Sequence, residues 1–340
     1  MASTPGTIYW DGSASTDCTA AANWTVGTAT EHTTPTTGDE VIWDSRCNPV
    51  ADTIRDATTV CAVGDTGGVA YDSIHVKAGH TGTIGASGAP FHTEAQKIII
   101  EGSGTYYFEA SAADAVTDAD IPLVIVNNPN ATVYLTSNVN SAAWCAEFLT
   151  IEIIAGTVYI GNNGTADVDT AVQYLRIDPR NSTAGNAIVY IKVNCERYKA
   201  TTYKMSLFME NGTVTSDSAA TLIDMSGGVF NFGTALATAE ADLNITTLRM
   251  RGSSIFYWYP DDDGDPYITT AWLYGGIFDA SGTTNNHQDK TITTAYIFKG
   301  ASAKLNNSMG NITVTTLENY GGVVDVDTGA RVAVTYNPSA

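Results

Sequence analysis

Apolar residues alternate with polar ones in short segments along most of this chain, and the segments recur at a nearly constant spacing. They begin at Ile74, Ile98, Leu123, Leu149, Leu175, Ile223, Leu248, Ala271, Ala295 and Leu317. The mean interval is about 24 residues when the gap of 48 after residue 175 is counted as two. Alternation with period two is typical of a half-buried strand, and a fixed period of roughly 20 to 50 residues indicates a repeat architecture.

Each repeat places a small or glycine residue between two apolar segments. In the clearest repeats an Ile-Thr-Thr tripeptide begins at residue 245, 268 or 292, and a glycine such as Gly252 or Gly300 follows the strand. Glycine supplies the backbone angles of sharp corners, and β-branched residues favour half-buried pleated surfaces. The sequence therefore predicts an all-β, single-stranded parallel β-helix (β-solenoid) of about eleven coils. Right-handed coiling is the default for its parallel crossovers.

Two other repeat folds fit this spacing less well. A helical solenoid would need sustained 3.6-residue periodicity with capping residues, and no stretch shows both. An array of β-sandwiches would contain many short strands but would not need such regular spacing. The regular repeats begin after residue 70, so we expect an N-terminal capping segment at 1–70 and the solenoid at 71–340.

The segment before the repeats contains three tryptophans within an ordered set of motifs. These are Tyr9-Trp10-Asp11-Gly12, Ala22-Asn23-Trp24, Pro35 and Gly38-Asp39-Glu40-Val41-Ile42-Trp43-Asp44. Their order resembles the opening of many bacterial autotransporter-like and phage β-helix proteins, and the resemblance implies a fold more than an activity. We expect Trp10, Trp24 and Trp43 to cover the open end of the first coil, where strand edges would otherwise be unpaired. The alternative is that these rings bind sugar.

The composition favours an ordered acidic β protein. Hydrophobic residues make up 44% of the chain and charged residues only 15%, with 36 acidic against 16 basic side chains and a net charge of −20. This charge disfavours nucleic acid and anionic lipid as partners. The opening residues lack the basic and apolar regions of a secretory signal, and no run of eighteen apolar residues occurs. We therefore expect a chain that is made in a host cytoplasm and leaves without secretion.

The sequence offers two weak indications of cross-links or metals. Five cysteines show no metal-binding spacing, and the sequence does not decide whether two of Cys18, Cys47 and Cys61 form a disulfide. Asp261, Asp263 and Asp265 surround a glycine in a short acidic turn, and clustered carboxylates of this kind can chelate Ca²⁺. Tyr259 and Thr270 occupy positions where a twelve-residue calcium loop needs acids, so a solvated acidic turn is favoured and no cofactor is expected.

An aromatic stripe is the clearest surface feature in the sequence. It comprises Trp272, Tyr274, Tyr296, Phe298 and Tyr320, which point outward if the alternating residues between them point inward. The repeat length places residue 272 beneath 296 and residue 274 beneath 298. An exposed apolar stripe indicates an interface, and a sugar-stacking platform is the second interpretation. The third is that the face is inverted and the rings belong to the core.

The chain shows no catalytic motif. Glycoside hydrolysis uses paired carboxylates, whereas the outward positions of adjacent coils offer only Asp224 beside Arg249. His75, His80 and His92 could meet on neighbouring coils, although turn or surface histidines are the simpler interpretation. A nucleophile elbow, a P-loop and a dinucleotide fingerprint are absent from the sequence. We therefore expect a protein that is not an enzyme.

These features together favour a non-enzymatic structural virion protein, a phage capsid decoration or head-surface protein that stabilises the shell. Its expected partners are a second copy of the chain and capsid or other virion proteins, with the virion surface as its location and a homo-oligomer as its state. One alternative is a receptor-binding tail fibre or tailspike that binds, or binds and cleaves, surface polysaccharide. Another is a bacterial surface adhesin. The viral assignment rests on the resemblance and on fold-level analogy.

Overall fold

A computed structural model describes the chain over the following residues: 6–10, 21–26, 33–45, 70–110, 120–137, 139–141, 144–145, 147–162, 164–165, 170–178, 187–191, 205–233, 244–259, 266–281, 289–306, 311–326 and 332–336. The chain divides into two compact units. One comprises Met1–Tyr174 and Arg197–Thr202, and the other comprises Leu175–Glu196 and Tyr203–Ala340. We call these the first and second units. Within the described residues the structure is almost entirely strand, with one 3-10 helix at Ala21–Asn23.

The strands of the first unit, and one strand that spans its boundary, are β1 (Thr7–Trp10), β2 (Trp24–Val26), β3 (Glu40–Trp43), β4 (Ser73–Val76), β5 (Thr83–Ile84), β6 (Phe91–Thr93), β7 (Lys97–Ile100), β8 (Thr105–Ala110), β9 (Leu123–Ser137), β10 (Val139–Ser141), β11 (Trp144–Cys145), β12 (Glu147–Ile160) and β13 (Ala171–Ile177). The strands of the second unit are β14 (Ala187–Ile191), β15 (Met205–Met209), β16 (Thr213–Ser216), β17 (Ala220–Met225), β18 (Val229–Phe232), β19 (Ile245–Met250), β20 (Ile255–Trp258), β21 (Tyr267–Leu273), β22 (Gly276–Asp279), β23 (Lys290–Phe298), β24 (Ala301–Lys304), β25 (Ile312–Tyr320), β26 (Val323–Asp325) and β27 (Val332–Tyr336).

The second unit is a parallel β-solenoid with two stacked faces. On the first face, the odd-numbered strands from β15 to β27 pair in parallel, each with the next. On the second face, the even-numbered strands from β14 to β26 do the same. The repeat positions of the sequence are direct register partners, as in Leu248 with Ala271 and Ala271 with Ala295. The predicted fold class is confirmed.

The number of coils differs from the predicted array of about eleven. Among the described residues, seven strands stack on each face of the second unit. The interval of 48 residues is also not two equal coils, because Leu207 pairs with Ile223 only 16 residues later. A single mean period therefore does not describe the chain, which divides into two units and contains a coil of unusual length.

The first unit also stacks its strands in parallel. One face runs from β3 through β4, β7 and β9 to β12. β9 and β12 each continue onto a second face, where residues 132–137 of β9 lie between β8 and β12. The register shifts at Ala155, next to Gly156 with φ 117°, which places the bend in the long strand β12. Glycine adopts this conformation without the strain that a Cβ would bring.

Strands of the N-terminal segment continue the first stack. β1 pairs in parallel with β3 and antiparallel with β2, and β3 pairs in parallel with β4. Trp10, Trp24 and Trp43 are at most 1% exposed. Their rings pack edge to face, with centroids 4.8 Å apart between the first two and 5.6 Å between the last two. Because these rings are buried, they present no open face on which a sugar could stack.

Asp39 fixes the chain at this end. Its buried carboxylate accepts hydrogen bonds from the backbone N–H of Gly6 at 2.9 Å and from the N–H and hydroxyl of Thr36 at 2.7 and 3.0 Å. Gly38 before it has φ 88°, a left-handed conformation that suits glycine. The Gly-Asp motif of the sequence therefore forms the turn that positions β3 beside β1.

Phenylalanines stack inside the second unit. The rings of Phe230 and Phe256 have centroids 5.3 Å apart and are tilted by 16°, and those of Phe256 and Phe278 are 5.8 Å apart and tilted by 9°. All three are buried, and they occupy register partners on β18, β20 and β22. We call Phe230, Phe256 and Phe278 the core ladder.

Candidate functional site

Six outward residues form one row along the first face of the second unit. Each is the register partner of the next on neighbouring strands from β15 to β25, and the row runs Phe208, Asp224, Arg249, Trp272, Tyr296 and Glu318. Two positions further along the strands, a second row contains Tyr274, Phe298 and Tyr320. The predicted aromatic stripe is thus one continuous feature, which we call the surface ladder.

The five rings of the surface ladder, Trp272, Tyr274, Tyr296, Phe298 and Tyr320, stack nearly parallel. Centroids are 4.0 Å apart between Trp272 and Tyr296, and 4.7 Å between Tyr274 and Phe298. Phe298 continues to Tyr320 at 5.0 Å, and none of these three pairs is tilted by more than 18°. The predicted vertical neighbours are the observed ones because parallel strands in register superpose equivalent side chains.

The surface ladder faces solvent. Tyr274 and Tyr320 are 44% and 43% exposed, whereas the alternating residues Leu273 and Ile297 are buried. The interpretation that these rings belong to the core is therefore wrong. Since neighbouring rings cover each other's faces, the ladder presents mainly ring edges to solvent. A sugar-stacking platform instead needs an open ring face.

A groove of about 430 Å³ lies at one end of the surface ladder and is lined by Asp224, Arg249, Arg251, Trp272 and Tyr274. Arg251 donates a charge-assisted hydrogen bond to Asp224, and Arg249 lies 4.0 Å from the same carboxylate. Both arginine side chains are about half exposed, at 49% and 55%, while Asp224 is only 11% exposed. One largely buried acid thus holds two arginines, whose outer surfaces remain available to a partner.

Glu318 stands at the other end of the ladder. It accepts a hydrogen bond of 2.5 Å from the hydroxyl of Tyr320. This hydrogen bond is the main reason why the pKa of Tyr320 is raised, and desolvation and the charge of Glu318 add to it. The ladder therefore ends in a carboxylate whose orientation is fixed by its own last ring.

A second aromatic stack, in the first unit, escaped sequence reasoning. Tyr107, Tyr134 and Tyr159 are register partners, with ring centroids 4.5 and 4.7 Å apart and tilts of 9° and 7°. All three are half-buried, and desolvation raises the pKa of Tyr107 and Tyr134. The available signal was a Thr-x-Tyr motif in three coils, at residues 105–107, 132–134 and 157–159.

The three histidines considered in the sequence each have a different partner. His75 lies 2.9 Å from Glu101, and His92 lies 3.2 Å from Glu109. His80 is buried, with Nδ1 3.1 Å from the hydroxyl of Tyr106, and burial lowers its pKa to about 4. The structure therefore does not bring the three histidines together into one cluster.

A buried lysine lies beside the core ladder. Lys290 donates to the backbone carbonyls of Trp258 at 2.8 Å and Ala280 at 3.0 Å, and its amine lies 5.8 Å from the centre of the Trp258 ring. Burial lowers its pKa to about 8, an effect that the charge of Asp279 partly opposes. Asp279 pairs with Lys304 at 3.2 Å and accepts hydrogen bonds from Ser281.

Several predicted features lie outside the described residues. Asp261, Asp263 and Asp265 are among them, and so are Cys18, Cys47 and Cys61. Within the part of the chain that the structure describes, no group of three or more His, Cys, Asp or Glu side chains could hold a metal ion. Over the same residues, no helix has the length and apolar character to cross a membrane.

No protein-family model, curated protein or solved structure matches this chain. Its function is therefore inferred from its own residues, and the surface ladder is the largest ordered group of outward aromatic side chains among those described above. Stacked rings fixed by register form a rigid surface, and a rigid surface loses little conformational entropy on binding. The surface ladder is the candidate functional site.

Proposed function

We propose that this chain is a non-enzymatic structural protein that attaches to other proteins through the surface ladder. The observation that carries the proposal is the stacking of Trp272, Tyr274, Tyr296, Phe298 and Tyr320 on an outward face. Aromatic residues are enriched in the centres of protein interfaces. A contiguous exposed apolar surface with a polar rim is typical of an interaction site.

The stacking geometry favours a protein partner over a saccharide. Trp272 and Tyr296 lie 4.0 Å apart and tilted by 15°, so the faces that meet between them are closed to a sugar ring. The edges that remain accessible can pack against apolar side chains in the edge-to-face manner common between aromatic groups. A flat row of ring edges therefore suits an extended protein surface.

We further propose that the attachment occurs on a virion, with the chain as a decoration protein of a phage head. This part of the proposal is supported by the likeness of the Trp10-Asp-Gly and Gly38-Asp-Glu-Val motifs to phage β-helix proteins. Contacts that exist only in the assembled shell would stabilise it by mass action. The rigid ladder would contribute such contacts without needing to fold on binding.

The test is cosedimentation with empty shells assembled from the major capsid protein encoded in the same genome. The double variant Tyr274→Ala/Phe298→Ala should lower binding at least tenfold, because it removes two stacked rings from the interface. Tyr134→Ala, which removes a stacked ring from the first unit, is the matched control and should bind like the wild type. Equal binding by all three proteins would overturn the assignment of the surface ladder as the interface.

The groove beside Trp272 favours one second candidate, a receptor-binding tail protein that holds polysaccharide. Arg249, Arg251 and Asp224 could hydrogen-bond sugar hydroxyls, and Trp272 lines the groove beside them. Among the residues lining the groove there is one carboxylate, whereas glycoside hydrolysis uses two. Glycan-array binding that is lost in Trp272→Ala, in a protein that does not bind shells, would favour this candidate.

A further inference from the structure

The surface ladder lies between charges of opposite sign. Along its first row, Arg249 precedes Trp272 by one strand, and Glu318 follows Tyr296 by one strand. At about 4.8 Å per strand, the two charged positions are roughly 14 Å apart. The row therefore has a positive end, an aromatic centre of two rings and a negative end.

Such a row is complementary to the same row of a second copy that runs in the opposite direction. Consider a two-fold axis that lies in the plane of contact, parallel to the strands and midway between β21 and β23. It places Arg249 of one copy opposite Glu318 of the other, and Trp272 opposite Tyr296. Each of these two contacts occurs twice, as in any isologous interface.

The second row obeys the same symmetry. Arg251, which lines the groove beside Tyr274, falls opposite Tyr320 of the other copy, next to the carboxylate that Tyr320 orients. Tyr274 falls opposite Phe298. The axis set by the first row therefore also suits the second row, because it places a ring just after β21 opposite a ring on β23 and an arginine opposite the last ring, Tyr320.

Charge also argues for this face as the place where two copies meet. The chain carries a net charge of −20, so most faces of two copies repel each other. On the outward rows of the ladder and its groove, Arg249 and Arg251 balance Asp224 and Glu318. The face therefore combines exposed aromatic surface with no excess of negative charge.

We propose that the surface ladder binds a second copy of this chain in a two-fold dimer whose strand stacks run in opposite directions. The proposal rests on the proposed role of the ladder as a protein interface and names a second copy as its partner, with which a shell protein on the same face would compete. Its specificity comes from the two Arg249–Glu318 contacts, and its contact area from the paired rings. A shell protein or a saccharide on the same face is an outcome of the test.

The first measurement is sedimentation of the full chain over a range of concentrations. The wild type should associate into a dimer. Arg249→Glu and Glu318→Arg should each weaken dimerisation at least tenfold, because each places like charges opposite one another twice. Lys77→Glu and Asp72→Arg reverse charges of the same signs in the first unit and should dimerise like the wild type.

The decisive step mixes the two weakened variants. The Arg249→Glu variant carries a carboxylate at both ends of its first row, and the Glu318→Arg variant carries a guanidinium group at both ends. The mixture should therefore form a heterodimer with at least wild-type affinity, and the double variant Arg249→Glu/Glu318→Arg should recover homodimerisation. These substitutions lie at partly exposed positions, and an unchanged unfolding midpoint shows that each variant is folded.

Three outcomes separate this proposal from the proposed function. A wild type that stays monomeric, or variants that do not rescue each other, would overturn the dimer. If that monomer still binds capsid shells through the ladder, the proposed function stands without the dimer. A rescued heterodimer from a wild type that ignores shells would support the dimer and overturn the decoration role.

Discussion

The core ladder and the surface ladder of the second unit are built by the same rule and differ in what surrounds them. Neighbouring rings are 5.3 and 5.8 Å apart in the core ladder and 4.0 to 5.0 Å apart in the surface ladder. Phe256 is completely buried, whereas Tyr274 is 44% exposed. Parallel register therefore explains the stacking in both ladders. Whether a ring points into the solenoid or out to solvent decides whether it contributes to stability or remains available for binding.

Truncating one ring in each ladder should give the largest difference in the free energy of unfolding. We expect Phe256→Ala to lower the free energy of unfolding by about 3–5 kcal/mol, because it leaves a cavity inside the solenoid. Phe298→Ala removes one stacked ring that is already partly hydrated and should lower it by about 1 kcal/mol. Urea denaturation of both variants measures the difference. Equal losses would show that the surface ladder is part of the folding core.

Substitution at the bend between the two ladders should have the next largest effect on the free energy of unfolding. Gly276 has φ 81°, and a Cβ there would meet the carbonyl oxygen of Ser254 on the neighbouring coil. We expect Gly276→Ala to lower the free energy of unfolding by roughly 2–3 kcal/mol.

Gly300 is the matched control for this substitution. It also has a positive φ, 102°, but the nearest atom to an added Cβ is the carbonyl oxygen of Tyr274 at 3.8 Å. Gly300→Ala should therefore lower stability by only about 1 kcal/mol, from backbone strain alone. If thermal or chemical unfolding shows equal losses for the two glycines, the close approach of coils at residue 276 is not what restricts that position.

The buried Lys290 should give an effect of a different kind, a dependence of stability on pH. Its pKa is lowered by burial from 10.5 to about 8, so both the folded and the unfolded chain keep the proton below pH 8. Between pH 8 and 10 the unfolded chain binds more protons, and the stability contribution of this group rises by on the order of 2 kcal/mol. Tyr259, whose pKa is raised by burial to about 12, opposes this rise only near pH 10, where the unfolded tyrosine begins to ionise, and it is present in both proteins compared below.

Denaturation of the wild type and of Lys290→Met across this pH range checks the prediction. The variant keeps the stem of the side chain and removes the titrating amine, so its stability should change less between pH 8 and 10. Asp279 stays ionised throughout, since hydrogen bonds from Ser281 and the ion pair with Lys304 outweigh its burial and keep its pKa low. Parallel profiles for the two proteins would contradict a lowered pKa at Lys290.

The sequence was sufficient for the fold where its repeats were regular. Leu248, Ala271 and Ala295 are register partners because alternation fixes which side chains enter the core and the repeat length fixes which ones superpose. The short coil between Leu207 and Ile223 could not be predicted from a mean period. Its length depends on how tightly the chain turns at Gly212, where φ is 92°.

The candidate site was predictable only in part. The surface ladder followed from the alternation on β21 and β23, since outward positions are known once inward ones are. Arg251 was missed because it lies just beyond β19, where alternation no longer gives its direction, and only its long side chain reaches Asp224. The tyrosine stack was missed because its members at Tyr107 and Tyr134 are separated by 27 residues rather than 24.

The antiparallel strand β2 has a consequence for how this chain behaves in concentrated solution. A solenoid made only of parallel strands would offer a long free backbone edge to any passing chain, which is a template for fibre growth. Among the described residues, the outer edge of the face that contains β3 and β4 belongs to a strand of three residues, Trp24–Val26, whose leading tryptophan is buried. An edge this short gives an incoming strand few hydrogen bonds, so this face of the first unit is protected against end-on aggregation.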